Sequence, residues 1–273
     1  MSFLYKDIIY DFSLYNLIWY FLVYSFLGWC MEVCYAAFKT KKFINRGFLN
    51  GTYCPLYGAG ACVVLVLLNP VQDHPFLIFL LSSLITTTIE FLTGLILELL
   101  YHKKWWDYSE RKFNIKGYVC LEFSVIWGVC CLLVYDILHP IVRWPINHIS
   151  HSVGIWIAAI WLLDFIIDVI VSTIQATRFA KYVTRIKENQ KRGSDAIGEK
   201  LAGATIKIMD SATKVYEKYE IKRSSKRLLK AFPTMRDNRD KSIIAILRER
   251  ALIKKQKKAI KEFKEYKNNK GAN

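Results

Sequence analysis

Acidic side chains are rare inside apolar segments, and this sequence places two of them in its longest one. Glu90 and Glu98 lie in the apolar segment 75–102, with Gly94 midway between them. Because a helix repeats every 3.6 residues, this spacing puts all three on one helix face. A carboxylate inside a membrane helix costs about 3 kcal/mol unless it faces a cavity, water or a partner. The pattern predicts a polar face that can bind a proton, a cation or an amine.

Two further glutamates lie near the ends of other apolar segments. Glu32 lies near the end of the first, and Glu122 lies near the start of the fourth. If the chain crosses a membrane in alternating directions, Glu32, Glu98 and Glu122 converge at one depth and form a polar cavity. The alternative is that these carboxylates lie at the headgroup level, where they pair with Arg46, Lys103 or Lys104 or accept hydrogen bonds from loop amides. Glu90 is predicted to lie deeper in either case.

The elements that carry these residues predict an all-α, polytopic membrane protein. The chain is 53% apolar, and a helix needs about 20 apolar residues to cross a bilayer. Asp164 and Asp168 lie one turn apart in the last apolar segment and face either the bundle or a partner protein. Residues 139–152, which contain two prolines, are predicted to form a loop. About five transmembrane helices are predicted in a domain over residues 1–177, at 15–38, 55–68, 75–102, 119–138 and 153–177.

The charge of the chain divides it into two regions. Residues 1–177 contain 11 Lys and Arg against 12 Asp and Glu, whereas residues 178–273 contain 28 against 11. The loops after the first and third spans have four and five basic residues, and those after the second and fourth have none and one. Since basic residues mark the cytoplasmic ends of spans, the N-terminus is predicted outside and the C-terminus in the cytoplasm.

The segment 47–60 is apolar but contains four glycines and one proline. This composition prevents a regular helix from Gly47 to Pro55. One interpretation is a plain loop. The other is a re-entrant or unwound element packed among helices, which is tolerated only where its backbone groups find partners.

The tail over 178–273 is predicted to be basic, cytoplasmic and helical. Apolar residues recur at helical spacing from Ile197 to Tyr219, and a second helix is predicted over 239–267, with breaks at Ser224-Ser225 and Pro233. Three interpretations of the tail remain open from the sequence. Its helices pack on each other, its basic residues bind anionic lipid headgroups, or they bind an acidic partner. Nucleic acid is not a predicted partner, because aromatic residues are sparse and no nucleic-acid motif is present.

The motifs of common enzyme classes are absent. No HExxH, GxSxG, P-loop or zinc-ligand spacing occurs, and the seven cysteines form no CxxC. The sequence therefore predicts no catalytic residue, no metal site and no cofactor, and the cysteines are interpreted as small apolar side chains.

Several motifs resemble one known family when they are taken in chain order. They are GW-x-x-E at 28–32, RGFLNGTYCPLYGAGA, E-x-x-T-G-x-x-x-E at 90–98, and WWDYS followed by FN-x-x-G and WG. Together they resemble the Putative ABC-transporter type IV family of bacterial integral membrane proteins, most clearly over residues 45–128. The resemblance implicates Tyr57 and a set of glycines as well as polar residues. Combined with the carboxylates above, the predicted polar cluster is Glu32, Asn50, Tyr53, Glu90, Glu98, Trp106, Asp107, Tyr108, Asn114, Glu122 and Trp127.

The resemblance and the carboxylates together predict a permease-like transport component of a bacterial plasma membrane that binds a small polar or cationic solute. Its predicted partners are the lipid bilayer, a separate ATP-binding subunit or a second copy of the chain, and anionic headgroups at the tail. The alternative is a membrane scaffold or regulator that recruits a partner or anionic lipid through the tail. An enzyme that acts on lipids is a third possibility, but the sequence offers no nucleophile or metal set for it.

Overall fold

The computed structural model describes residues 12–198, 223–237 and 244, and helices dominate it. The helices are α1 (Leu14–Thr40), α2 (Pro55–Leu68), α3 (Pro75–Tyr101), α4 (Leu121–Leu133), α5 (His139–His148), α6 (His151–Gly198) and α7 (Arg223–Ala231). A 3-10 turn (Asn69–Val71) follows α2, and a π-helical turn (Val134–Leu138) joins α4 to α5. Two antiparallel pairs join four short strands: β1 (Lys103–Lys104) with β4 (Arg236–Asp237), and β2 (Asn114–Ile115) with β3 (Val119–Cys120).

Within the described residues, four helical stretches are long and apolar enough to cross a membrane, which confirms the predicted class of polytopic helical membrane protein. They are Leu14–Thr40, Pro75–Tyr101, Leu121–His148 and His151–Arg185. The remaining apolar helix, α2, has the predicted bounds but only 14 residues. At 1.5 Å per residue it is about 21 Å long, less than the roughly 30 Å apolar core of a bilayer. A fifth crossing therefore stays a prediction.

The ends of the helices follow from local sequence. The Ser13 side chain accepts a bond from the Asn16 N–H and begins α1, and a proline in the first turn begins α2 and α3. Lys41 and His102 adopt left-handed backbone conformations, with φ of 54° and 55°, and end α1 and α3. Each donates its N–H to a carbonyl of the preceding turn, as helix C-caps do.

The predicted loop over residues 139–152 is wrong, because most of it is helical. Pro140 lies in the first turn of α5, directly after the π-helical turn that joins it to α4. Pro145 lies inside α5 and is accommodated there, as membrane helices often accommodate proline. The fourth span therefore extends to His148 and continues the apolar stretch that begins at Leu121.

The predicted boundary between membrane domain and tail does not coincide with a structural break. Helix α6 continues without interruption from His151 to Gly198. The predicted break at Ser224-Ser225 is wrong, since both residues lie within α7, and buried Leu228 and Leu229 anchor that helix by packing. The predicted tail helices, from Ile197 to Tyr219 and over 239–267, lie outside the described residues except for residues 197, 198 and 244.

Three regions that are distant in the chain meet at one end of the bundle, which we call the loop end. They are residues 41–54, residues 102–120 and α7 with β4. The Phe48 and Trp105 rings lie 5.1 Å apart between centroids, and Trp105 and Phe232 lie 4.9 Å apart. Within the bundle, α3 packs on α4, α2 packs on α1 and α3, and α6 packs on α1.

Candidate functional site

The segment 47–54, between α1 and α2, is shaped by side-chain contacts instead of regular secondary structure. Asn45 lies just before it, and its Oδ1 accepts bonds from Trp29 Nε1 and the Gly47 N–H, both at 3.0 Å. The Asn45 amide donates to the Asn50 carbonyl at 2.8 Å. A single amide side chain thus joins α1 to both halves of the segment, a role that no sequence motif had indicated.

Helix α6 supplies an anion to the backbone of the same segment. The Asp168 carboxylate accepts bonds from the Asn50 N–H at 3.1 Å and the Gly51 N–H at 2.8 Å. Ser172 Oγ accepts from Asn50 Nδ2 at 2.7 Å and donates to Asp168 at 3.0 Å. Irregular backbone within a membrane protein persists only where its polar groups find such partners. The predicted residue Asn50 therefore belongs to a network with α6.

Helix α7 supplies a cation to the opposite side of the segment. The Arg227 guanidinium donates to the carbonyls of three consecutive residues: Gly47 at 3.0 Å, Phe48 at 2.8 Å and Leu49 at 2.9 Å. Burial lowers the pKa of Arg227, and the charge of Asp168 acts in the opposite direction. The segment thus presents its N–H groups to an anion and its carbonyl groups to a cation.

Tyr53 makes a second contact between the segment and α6. Its hydroxyl donates to Asp164 Oδ2 at 2.6 Å. Burial, with a further contribution from Asp164, raises the pKa of Tyr53 to about 12. The phenol therefore remains a donor at neutral pH, and the predicted residue Tyr53 anchors the segment one turn away from Asp168.

Glu32 connects the loop end to α2. It accepts a bond from the Tyr57 hydroxyl at 2.6 Å and forms an ion pair with Arg46 at 3.4 Å. Gly28 lets the Tyr57 ring lie directly on α1, because a Cβ at position 28 would overlap the ring. The ring also meets Trp127 edge to face, with centroids 5.4 Å apart. Glu32 and Gly28 thus both contribute to the position of Tyr57.

Glu90 is the buried carboxylate of the bundle, with only 7% of its surface exposed. The Tyr108 hydroxyl donates to Oε1 at 3.3 Å, and Trp127 Nε1 donates to Oε2 at 3.2 Å. Burial raises the pKa of Tyr108, and the charge of Glu90 adds to that shift, so the hydroxyl remains a donor. No basic side chain among the described residues pairs with Glu90. A buried carboxylate without a counter-charge is costly and favours binding of a proton or a cation.

A cavity of about 350 Å³ lies beside Glu90, between α1, α2, α3 and the helical stretch that begins with α4. Most of its lining is apolar, and Glu90 is the one carboxylate among the described residues that line it. Tyr24 also lines it and shares a hydrogen bond of 3.1 Å with His139 Nδ1. The side chains of the lining that carry N–H, O–H or carboxylate groups are Tyr24, Tyr57, Thr86, Glu90 and Trp127.

Between α3 and α4, two of the predicted site residues bind backbone of their own segment. Trp106 Nε1 donates to the Tyr118 carbonyl at 2.8 Å. The Asn114 amide donates to the Arg111 carbonyl at 2.7 Å. Tyr108 differs from these residues, because its hydroxyl reaches Glu90.

Asp107 also stabilises this turn. It accepts bonds from the Ser109 N–H at 2.9 Å and from the Ser109 hydroxyl. Gly117 has a φ of +74°, and a Cβ there would meet Asp107 Oδ1 and Ser109 Oγ. The turn therefore requires glycine at this position, which gives a structural reason for the FN-x-x-G motif.

Glu98 and Glu122 have partners different from those of Glu32 and Glu90. Glu98 accepts a hydrogen bond from the Tyr118 hydroxyl at 2.7 Å. Burial is the larger cause and Glu98 the smaller cause of a rise in the pKa of Tyr118 to about 12. Glu122 pairs with Arg111 at 3.0 Å, and both side chains are about half exposed. Of the four predicted glutamates, only Glu90 lines the cavity.

Across the described ranges, no group of three or more His, Cys, Asp and Glu residues is arranged to hold a metal ion. All seven cysteines are free thiols.

Within the described residues, four apolar helices of membrane length, together with their family, define a multi-pass membrane protein. A family model described as "Putative ABC-transporter type IV" matches residues 19–173, and the chain belongs to this family. The match includes the 47–54 segment, Glu90 and the cavity, and ends before α7. No curated protein and no solved structure matches the chain. Family and fold together make the chain a membrane protein related to transport.

Proposed function

We propose that the chain is a permease-like membrane component of a transport system and that its solute binds in the cavity beside Glu90. One observation carries this proposal: Glu90 is buried, has no basic partner among the described residues, and lies at the wall of a cavity large enough for a small molecule. Ligand sites are concave and mostly apolar, with a few polar groups that orient the ligand.

The chemistry of the lining favours a solute with one cationic group and a compact apolar body. Glu90 supplies a negative charge for that group. The Tyr57 and Trp127 rings also line the cavity. The face of an aromatic ring attracts a cation that lies within about 6 Å of the ring centroid. The apolar wall formed by residues such as Val64 and Ile89 suits the rest of the molecule.

The orientation and partners of this component belong to the same proposal. The basic loops after the first and third predicted spans favour a cytoplasmic loop end, with the N-terminus outside, in a bacterial plasma membrane. The family description favours a separate ATP-binding subunit, which would bind at that end. A homodimer is the other assembly that we consider. No chemical step is assigned to the chain itself.

A matched pair of probes tests the solute site in purified full-length protein in lipid nanodiscs. Benzyltrimethylammonium carries a permanent charge, and neopentylbenzene has almost the same shape without it. We expect the cation to bind the native chain more tightly than its neutral analogue. We also expect Glu90→Gln to weaken cation binding by about tenfold or more, because it removes the charge partner.

Glu122→Gln is the matched control, since it makes the same chemical change at an exposed carboxylate outside the cavity. Cation binding that Glu122→Gln leaves intact and Glu90→Gln weakens would support the proposal. Equal binding of both probes, unaffected by Glu90→Gln, would contradict the assignment of a cationic solute.

Affinity purification from native membranes in mild detergent tests the partner. Recovery of an ATP-binding subunit would support a transport system driven by ATP. Recovery of the chain with a non-transport protein, in a manner that depends on residues 178–273, would favour the scaffold or regulator function instead.

A further inference from the structure

The described part of the tail is bound to the membrane domain by apolar packing as well as by Arg227. Leu228, Leu229 and Met235 are each at most 5% exposed and pack in one cluster with residues of α3 and α6. β4 extends the contact by pairing with β1, so that Lys103 lies opposite Asp237. The tail segment is therefore a part of the loop end, although it follows the membrane helices by many residues.

The backbone that Arg227 binds leads directly into the cavity wall. Leu49 is eight residues before Tyr57, which lines the cavity beside Trp127. Between them, the Cys54 N–H donates to the Ser25 carbonyl of α1 at 2.9 Å, and Pro55 begins α2. A shift of the carbonyls at 47–49 would therefore be transmitted to the first turn of α2 over a short, tightly bonded stretch.

Arg227 and Asp168 oppose each other across this backbone. Asp168 holds the N–H groups of Asn50 and Gly51 on a helix of the membrane domain, while Arg227 reaches the segment from the tail. The anion is a fixed part of the bundle, whereas the cation belongs to a separate short helix. The Asp168 contact is thus made from a membrane helix, and the Arg227 contact is made from the tail.

We propose that Arg227 is a positioning residue for the cavity: docking of α7 holds the 47–54 segment in place, and the segment in turn seats Tyr57 at the cavity wall. Undocking of α7 loosens the segment and weakens binding in the cavity. The tail thereby controls the solute site from the loop end. This inference assigns to the tail a role in the same protein's site, and it does not depend on which solute the cavity takes.

Hydrogen exchange of the full-length protein in nanodiscs tests the proposal without any solute. We expect Arg227→Ala to speed amide exchange in a peptide that covers residues 45–54 by about tenfold or more, because the segment loses three charged hydrogen bonds. Lys230→Ala is the matched control, since Lys230 lies exposed on the same helix. Arg227→Lys keeps the charge but loses the planar guanidinium, so its exchange rate at residues 45–54 should lie between those of Arg227→Ala and Lys230→Ala.

Three results would overturn the proposal. The first is unchanged exchange at 45–54 in Arg227→Ala. The second is equally fast exchange at 45–54 in Lys230→Ala, which would show that the effect does not belong to Arg227. The third is faster exchange throughout α1 and α3 as well, which would make the contact a general support of the fold.

Cation binding in the same variants separates this inference from the function proposed above. If the benzyltrimethylammonium probe binds the native chain, Arg227→Ala should weaken it several-fold and Lys230→Ala should not. If the probe does not bind the native chain but Arg227→Ala still loosens 45–54 selectively, the positioning role stands and the cationic solute fails. If the probe binds equally to Arg227→Ala and to the native chain, the positioning role fails.

Discussion

Asp168 and Arg227 bind opposite polar edges of one short backbone segment. Asp168 accepts the N–H groups of Asn50 and Gly51, and Arg227 donates to carbonyl groups of the three residues before them. A peptide group is stabilised when its N–H points at an anion and its carbonyl points at a cation, and the peptide between Leu49 and Asn50 has both contacts. This arrangement explains how an irregular, glycine-containing segment is held in place at the end of a membrane helix bundle.

Asp168→Asn should destabilise the protein by about 2 kcal/mol, because two charge-assisted hydrogen bonds are lost and the new amide places N–H donors near N–H groups. The change would be measured as a lower midpoint of thermal unfolding in detergent. Asp136→Asn, at an exposed aspartate in the turn before α5, should leave the midpoint unchanged. Equal midpoints for Asp168→Asn and the native chain would mean that the carboxylate charge is not what holds the segment.

Glu90→Gln should raise the thermal stability of the empty protein while it weakens cation binding. The glutamine oxygen can still accept the Trp127 N–H, and the Tyr108 hydroxyl can accept from the glutamine amide. The variant therefore keeps its hydrogen bonds and loses the cost of an uncompensated buried charge. A lower unfolding midpoint would show instead that a positive group compensates Glu90 in the folded protein.

Gly28→Ala should displace Tyr57 and damage the cavity. Its Cβ would overlap the Tyr57 ring, and overpacking of this kind costs about 1–3 kcal/mol. Gly60→Ala is the matched control, because Gly60 also lines the cavity but an added Cβ there meets nothing within 4 Å. The measurement is binding of benzyltrimethylammonium. If Gly28→Ala and Gly60→Ala weakened binding of the probe equally, the close contact of Tyr57 with α1 would not be what shapes the cavity.

Cys54 should react slowly with maleimides over an unusually wide pH range. Burial, followed by the charge of Glu32, raises the pKa of its thiol to about 12. Because the thiolate is the reactive form, the rate should rise about tenfold per pH unit up to that value. Quantitative mass spectrometry of the labelled peptide would measure this rate, with urea-unfolded protein as the control. A rate that levels off near pH 9 would show that Cys54 is not buried as described.

The membrane helices could be predicted because hydropathy and length respond to the bilayer directly. The start of α2 at Pro55 also followed from local sequence. The helix over His139–His148 could not be predicted in this way, because two prolines in a short, polar stretch usually interrupt a helix in water. One of these prolines occupies the first turn, and the π-helical turn before it lets the span continue.

The long-range contacts of the site could not be predicted from the sequence. Asn50 and Asp168 are 118 residues apart, and Gly47 and Arg227 are 180 apart. Arg227 is also one of many basic residues in the tail, and nothing in its neighbours distinguishes it. Asn45 and Ser172 are similar cases, since a single amide or hydroxyl acquires its role only when the fold brings backbone groups to it.

The predicted convergence of carboxylates illustrates a further limit. Their positions along the predicted spans predict that Glu32, Glu98 and Glu122 lie at the same depth in the membrane. Depth alone does not determine the direction of a side chain around the helix axis, and the structure gives each of them a different tyrosine or arginine partner. Glu90 lines the cavity because its helix turns that face toward α1 and α2.

A structure of the native protein with 4-iodobenzyltrimethylammonium would test the central claim most directly, because the iodine marks the bound molecule in an anomalous difference map. We predict one iodine site inside the cavity, with the ammonium group against Glu90 and beside the Tyr57 and Trp127 rings. The Glu90→Gln variant should lack it under the same conditions. An empty cavity, or iodine bound outside it in both proteins, would contradict the assignment of Glu90 and its cavity as a site for a cationic solute.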